Sequence, residues 1–310
     1  MTKLGLGTVQ LGLPYAGQAD ALVMELEEAM GILDRAIQLN IQFFDTAVIY
    51  GESESRIGEF FSRHPDSKVE VSSKLPRFPR EIWDKESVLR EQAKQYLRES
   101  LHRTRQSEFQ LLQLHESDVA FLESPAVGQV MRSLLVDEPI SSLGVSVYSV
   151  EEALCALDQD WVSALQIPVS ILDQRFLSVE LLQACRERKC RLIGRSLFLQ
   201  GVLVNDARLP NVLRTDELLR IRHDLEQVAN GIPLSVLSLQ FAFHNLSSIL
   251  DVALIGVQSQ QELEQNWNVL QQLQEPIPTE MVEKFWSIGE QAEKLKLLDP
   301  RQWSHANNSR

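Results

Sequence analysis

At 310 residues, 44% hydrophobic and 24% charged, the chain has the composition of a globular protein able to bury a large core. Its formal net charge of −13 is offset by no basic block, which argues against general affinity for nucleic acid or an anionic membrane surface.

Taken in order, the hydrophobic pattern alternates strand and helix eight times. KLGLGTV reads as the first strand, followed by a helix over about Met24–Leu39 with Leu26, Met30, Leu33 and Ile37 on one stripe. FFDTA is the second strand, and ESESRIGEFFS opens its helix. VEVSSKL is the third, followed by a helix over about Ser87–Arg103. FQLLQLHE is the fourth, with a helix near Val127–Val136. SSLGVSVY is the fifth, and its helix opens at Ser149 with Glu151 and Glu152 in the first turn, an N-terminal capping signal.

ALQIPVS, CRLIGRS and VALIGV are the sixth, seventh and eighth strands. LSVELLQACRER follows the sixth as a helix. A long connection from Leu199 to Asn230 holds its own helical stretch, and PLSVLSLQFAFHN forms a helix before the eighth strand. SQQELEQNWNVLQQL follows that strand, and a last amphipathic segment covers about Thr279–Leu295. The expectation is one barrel domain over residues 1–310, with a polar tail from about 297 to 310.

Strands such as VALIGV and FQLLQL are nearly continuous apolar runs, which suits parallel strands covered on both faces. Eight strand–helix units therefore predict an α/β fold, a (β/α)8 TIM barrel, in which active sites lie at the C-terminal ends of the strands. Asp45, Lys74, His115, Ser146, Gln166 and Arg195 all fall there. No run approaches the roughly 20 apolar residues that span a bilayer. MTKLGLGTVQ lacks the apolar core of a signal peptide, so the expected location is the cytoplasm. Cys155, Cys185 and Cys190 are odd in number without metal-type spacing, and they read as reduced packing residues.

The stretch FFDTAVIYG places Asp45 and Tyr50 five residues apart where an apolar run ends. Each has a plain structural alternative: Asp45 as a turn cap, Tyr50 as packing under a loop, His115 as a satisfied core histidine. A lysine in a barrel mouth must be paired or catalytic, and Lys74 is therefore read as bonded to Asp45 or as a reacting group. Together the four suit proton transfer to a carbonyl oxygen. A phenol near pKa ~10 is a weak acid at neutral pH, and a neighbouring ammonium is expected to lower that value. No side chain delivers hydride, so a nicotinamide cofactor is implied.

These residues carry a resemblance to the aldo-keto reductase superfamily over nearly the whole chain. The motifs are GLGTVQLG, FDTAVIYG, SSKL, LHES, GVSVYS, GRSL and IGVQSQQELEQN. The resemblance implies a catalytic tetrad of Asp45, Tyr50, Lys74 and His115. It also implies cofactor contacts from Thr8, Asp45, Ser146 and Gln166, the latter two on the nicotinamide amide. Val147 stands where the family has an asparagine. Arg195 replaces an aromatic ring and would lie beside the nicotinamide or reach the diphosphate, with Ser196 facing the phosphates. Gly256, Gln258, Ser259, Glu262 and Asn266 match the adenosine end of the site.

The family default is NADP(H). The stretch between Arg222 and Lys284 holds no Lys or Arg to pair a 2′-phosphate, and Glu262 would suit a 2′-hydroxyl, so NAD(H) stands beside it. The implied activity is NAD(P)H-dependent reduction of a small aldehyde or ketone. The alternatives are a cofactor-sensing regulatory module of the potassium-channel β-subunit type and a Schiff-base aldolase on Lys74. Arg77 and Arg80 read as solvated surface residues, with contact to an anionic substrate such as a sugar nucleotide as the alternative. GTVQLG, GVSVYS and GRSLFLQG also resemble reductases of surface-polysaccharide and amino-sugar pathways. No motif names the substrate or the oligomeric state.

Overall fold

A computed structural model describes residues 1–14, 22–115, 117–204, 215–299 and 302. Eight parallel strands close into one barrel in sequence order: β1 (Lys3–Gly7), β2 (Phe43–Asp45), β3 (Glu70–Leu75), β4 (Leu111–Leu114), β5 (Leu143–Ser146), β6 (Val162–Pro168), β7 (Arg191–Arg195) and β8 (Val252–Gly256). The sheet closes where β1 pairs with β8, with Gly7 opposite Gly256. The expected (β/α)8 barrel is the observed architecture.

The helices are α1 (Val9–Gly12), α2 (Leu26–Gln38), α3 (Ser53–Arg63), α4 (Glu86–Thr104), α5 (Val119–Leu122), α6 (Pro125–Asp137), α7 (Val150–Asp158), α8 (Val179–Glu187), α9 (Asp216–Ala229), α10 (Leu234–Gln240), α11 (Gln260–Gln272) and α12 (Thr279–Lys294). Most of the expected helices agree to within one or two residues. The short α1 and α5 were not anticipated, because one turn is too brief to show a period. Residues 205–214 of the long connection, and 300, 301 and 303–310 of the expected tail, lie outside the described residues.

Helix starts follow their caps. Ser149 accepts the Glu152 N–H while the Glu152 carboxylate accepts the Ser149 N–H, so the two satisfy donors that the first turn of α7 leaves open. Ser178, Thr215 and Ser259 cap α8, α9 and α11 in the same way from one side. No helix among the described residues is long and apolar enough to cross a membrane.

Most of the apolar core lies between barrel and helices, where Leu6, Phe44, Leu75, Leu112, Leu114 and Val145 meet helix residues such as Ile32, Phe60 and Leu97. Phe43, Leu111, Ala164, Ile193, Val252 and Leu254 form a separate buried cluster, which fills the barrel interior near the strand starts. Further along the same inward faces the side chains turn polar: Asp45, Ser72, Lys74, Gln113, Ser146 and Gln166 are all buried. Alternation along each strand puts them inside, and parallel register puts Asp45 beside Ser72, Lys74 beside Gln113 and Ser146 beside Gln166. The polar half of the barrel positions the site.

Candidate active site

The last residue of β2, Asp45, meets the fifth residue of β3, Lys74, in a buried ion pair with Nζ 2.5 Å from Oδ2. Lys74 also donates to the Thr46 carbonyl at 2.9 Å and is fully buried. The other carboxylate oxygen of Asp45 accepts from Gln166 Nε2 at 2.8 Å and Gln113 Nε2 at 3.2 Å. Asp45 thus has charge and hydrogen bonds on both oxygens, which offsets the cost of burying it.

Tyr50 stands over this pair, its ring centroid 5.1 Å from Lys74 Nζ. His115 approaches the same ring edge-on, with centroids 5.7 Å apart. The loop carrying Tyr50 is fixed through Gly12 and Ser53. Glu52 N–H donates to the Gly12 carbonyl, while the Ser53 hydroxyl lies 2.7 Å from that of Thr8 and 2.9 Å from that of Thr46. A β-carbon on Gly12 would lie 1.9 Å from the Tyr50 carbonyl oxygen, so only glycine permits that approach.

Tyr50 and His115 open into a cavity of about 350 Å³ at the C-terminal ends of the strands. Of the expected site residues, Thr8, Asp45, Tyr50, His115, Ser146, Gln166, Arg195, Ser196, Gly256 and Glu262 line it. Lys74 does not: it lies behind Tyr50, bonded to Asp45. Gln258, Ser259 and Asn266 lie outside the lining. Ser259 caps α11, and the Glu262 carboxylate accepts the Gln258 N–H at 2.8 Å, so the start of this helix already holds a carboxylate.

Burial sets the proton affinities. It pushes Tyr50 above the usual phenol value, with Asp45 and Tyr148 acting the same way and Arg195 opposing. The expected lowering of Tyr50 by Lys74 is therefore not what this geometry gives, because desolvation outweighs it and the lysine's charge is committed to Asp45. Burial lowers Lys74, Asp45 restores part of that, and Arg195 adds to the lowering. His115 is pushed down to about 3 by burial, then by the charges of Lys74, Arg195 and Arg77, which makes it a neutral imidazole near pH 7.

Arg195, at the end of β7, stacks over Tyr148 with Cζ 4.2 Å from the ring centroid. It donates to the Val147 carbonyl at 3.0 Å and the Ser196 hydroxyl at 3.2 Å. The loop after it is strained, with Ser196, Leu199 and Gln200 at positive φ of 61°, 43° and 49°. It supplies Leu197, Phe198, Gln200, Gly201 and Val204 to the cavity.

Three contributors escape a motif-based reading. Gln113 holds Asp45 and Ser72; its signal is a polar residue two before His115 in an otherwise apolar strand. Tyr148 carries Arg195. Gln10 lies over Gly256 and lines the cavity with a buried, unpartnered Oε1, and nothing in GTVQLG marks it out.

A closed parallel barrel, with a buried Asp–Lys pair beside a cavity-lining Tyr and His at the strands' C-terminal ends, defines the chain by class as a (β/α)8 barrel protein. The chain belongs to the aldo/keto reductase family, whose sequence profile matches residues 3–290. It is 31% identical over 154 residues to uncharacterized oxidoreductases of Mycobacterium tuberculosis and Mycobacterium bovis, a match covering 48% of this chain and 43% of each relative. The matched stretch is therefore less than half of those curated relatives.

Among solved structures, the holo form of the aldo-keto reductase AKR11C1 from Bacillus halodurans superposes with a TM-score of 0.71 at 20% identity, covering 92% of this chain and 91% of that one. The glycerol dehydrogenase AKR11B4 from Gluconobacter oxydans gives 0.66 at 18% identity, covering 96% and 93%. These likenesses establish a shared fold, and the family assignment supports an oxidoreductase role.

Proposed function

We propose that this chain reduces an aldehyde or ketone to an alcohol with NADPH or NADH. The observation that carries the reading is the buried Asp45–Lys74 pair set directly behind Tyr50, with His115 at the edge of the same ring. A reduced nicotinamide, when bound, supplies the hydride that no side chain provides. The cavity suits such a group. Ser146 Oγ and Gln166 Oε1 lie 3.4 Å apart on its wall as partners for a carboxamide, and buried polar atoms of His115, Gln10 and Arg195 await partners there.

The chain's own residues manage the proton. Tyr50 stays protonated at neutral pH, so its hydroxyl is a proton donor held for an oxygen that becomes an alkoxide. Arg195, which opposes the rise in Tyr50, favours the phenolate left behind, while Asp45 holds Lys74 in place beneath the ring. His115, neutral, offers a hydrogen bond that orients the carbonyl without competing as an acid. Full burial of Lys74 counts against imine chemistry on it, since a substrate carbonyl has no approach to Nζ.

The test is Tyr50→Phe. Turnover of an established carbonyl substrate should fall by about 10²–10⁴-fold, with dinucleotide affinity unchanged. Parental turnover in that variant would reject the mechanism.

A further inference from the structure

Cys185 and Cys190 meet at the N-terminal end of β7, the opposite end of the barrel from the candidate active site. Helix α8 closes there in a specific turn. Lys189 has a positive φ of 51°, its N–H donates to the Arg186 carbonyl at 3.1 Å, and the Cys190 N–H donates to the Cys185 carbonyl at 2.9 Å. These are the two hydrogen bonds of a Schellman motif, which brings the side chain third from the helix end against the second one past its cap. Those two positions are Cys185 and Cys190. The stretch CRERKC therefore turns separation along the chain into contact between thiols.

The two thiols share a hydrogen bond, which lowers the proton affinity of Cys185 and raises that of Cys190. Both cysteines are reduced and largely buried, at 3% and 8% exposure. Both also line a surface cavity of about 420 Å³, together with Lys189, Ser248 and Asp251, through which a small reagent can approach. Cys155, on α7, is placed differently. Its thiol points to the Val119 carbonyl at 3.9 Å and is pushed up to about 11 by burial and by Glu123, Asp158 and Glu151.

We propose that Cys185 and Cys190 form a dithiol modification site that closes reversibly to an intramolecular disulfide on reaction with a low-molecular-weight disulfide such as oxidised glutathione. The Cys185 thiolate attacks one sulfur of the reagent, and the first glutathione thiolate leaves and takes up a proton. Cys190 then loses its proton and attacks the Cys185 sulfur, releasing the second glutathione. Two protein thiols are oxidised to one disulfide, and the reagent is reduced to two thiols. A disulfide needs β-carbons roughly 3.5–4.5 Å apart, and contact across this turn is what supplies that approach. The site requires neither a dinucleotide nor a carbonyl substrate, so it stands apart from the reductase reading.

Equilibration of the full chain with graded ratios of oxidised to reduced glutathione, followed by alkylation and mass spectrometry, tests the proposal. The expected product is a Cys185–Cys190 bridge, lighter than the dithiol by about 2 Da and reversed by dithiothreitol, with Cys155 still open to alkylation. Nearness in sequence lets the denatured chain form the same bridge, so the deciding quantity is the equilibrium constant against glutathione in native and urea-denatured protein. The native value should be at least about tenfold higher, because the turn holds the thiols together. Equal or lower values in the native protein, or glutathione left on one cysteine with no bridge, overturn the proposal.

Variants assign the roles. Cys190→Ser should form no bridge and carry one glutathione on Cys185; an unmodified Cys185 there would overturn its part as the attacking thiolate. Cys155→Ser should leave the native equilibrium constant unchanged, and loss of the bridge in that variant would overturn the pairing.

Discussion

Lys74 Nζ and Asp45 Oδ2 lie 2.5 Å apart in the barrel interior, with Asp45 on the cavity wall and Lys74 behind Tyr50, away from the cavity. Neither charge can be left alone there. Asp45→Asn and Lys74→Met should each destabilise the fold by about 3–5 kcal/mol, because each strands a buried charge. The double variant should cost clearly less than the sum of the two. Urea denaturation of the four proteins reads this coupling directly, and additive losses would show that the pair is not interacting.

His115 has its proton affinity pushed far below the ordinary histidine value, to about 3. Between pH 8 and pH 4.5 its ring should stay neutral and its NMR signals should not shift. Below about pH 6.5 the unfolded chain takes up a proton at this residue that the folded chain refuses. Stability should therefore fall progressively as pH drops from 6.5 toward 3, and His115→Gln should remove that part of the acid sensitivity. A titration of His115 near pH 6.5 would contradict the geometry described.

Gly12 is the hinge on which the Tyr50 loop is seated. An added methyl would meet the Tyr50 carbonyl oxygen at 1.9 Å and the Ser53 nitrogen at 2.3 Å, and both are backbone atoms with no rotamer to give way. Gly12→Ala should cost roughly 1–3 kcal/mol in overpacking. By displacing Tyr50 on the order of 1 Å, it should also lower turnover by about 10²-fold. Gly31→Ala is the control. Its nearest contact is the end of the Gln260 side chain at 3.4 Å, so both readouts should stay close to wild type.

Glu54 forms a second buried acid site away from the cavity, and it ties α3 to β3 and α4. Its carboxylate accepts from Ser73 Oγ at 2.6 Å, from Ser100 Oγ, and from Arg103 Nε at 2.7 Å. Glu54→Ala removes the carboxylate shared by two buried hydroxyls and Arg103, leaving Ser73 and Ser100 only each other and Arg103 only Glu99. It should lower stability by about 3 kcal/mol or more while dinucleotide affinity, measured by fluorescence titration, stays unchanged. A selective loss of dinucleotide binding would mean that this network reaches the site.

The barrel was legible because strand periodicity is local. Runs such as FQLLQL and VALIGV report burial on both faces, and the Ser149–Glu152 box announced its helix within four residues. The candidate tetrad stood out for a related reason: Asp45, Lys74 and His115 each end a strand-like run. Gln113 and Tyr148 were not, since their parts depend on partners 68 and 47 positions away, Asp45 and Arg195.

The sequence by itself determined the order of the strands, the residues at their C-terminal ends and the chemistry those residue types can perform. Closure of the barrel decided the rest. Only when β1 meets β8 does Gln10 come to lie on Gly256, and only the three-dimensional path of β7 sets Arg195 on Tyr148. Burial, too, is a tertiary property. It raises Tyr50, lowers Lys74 and His115, and assigns Lys74 to Asp45 and not to the cavity, none of which the spacing of residues along a chain contains.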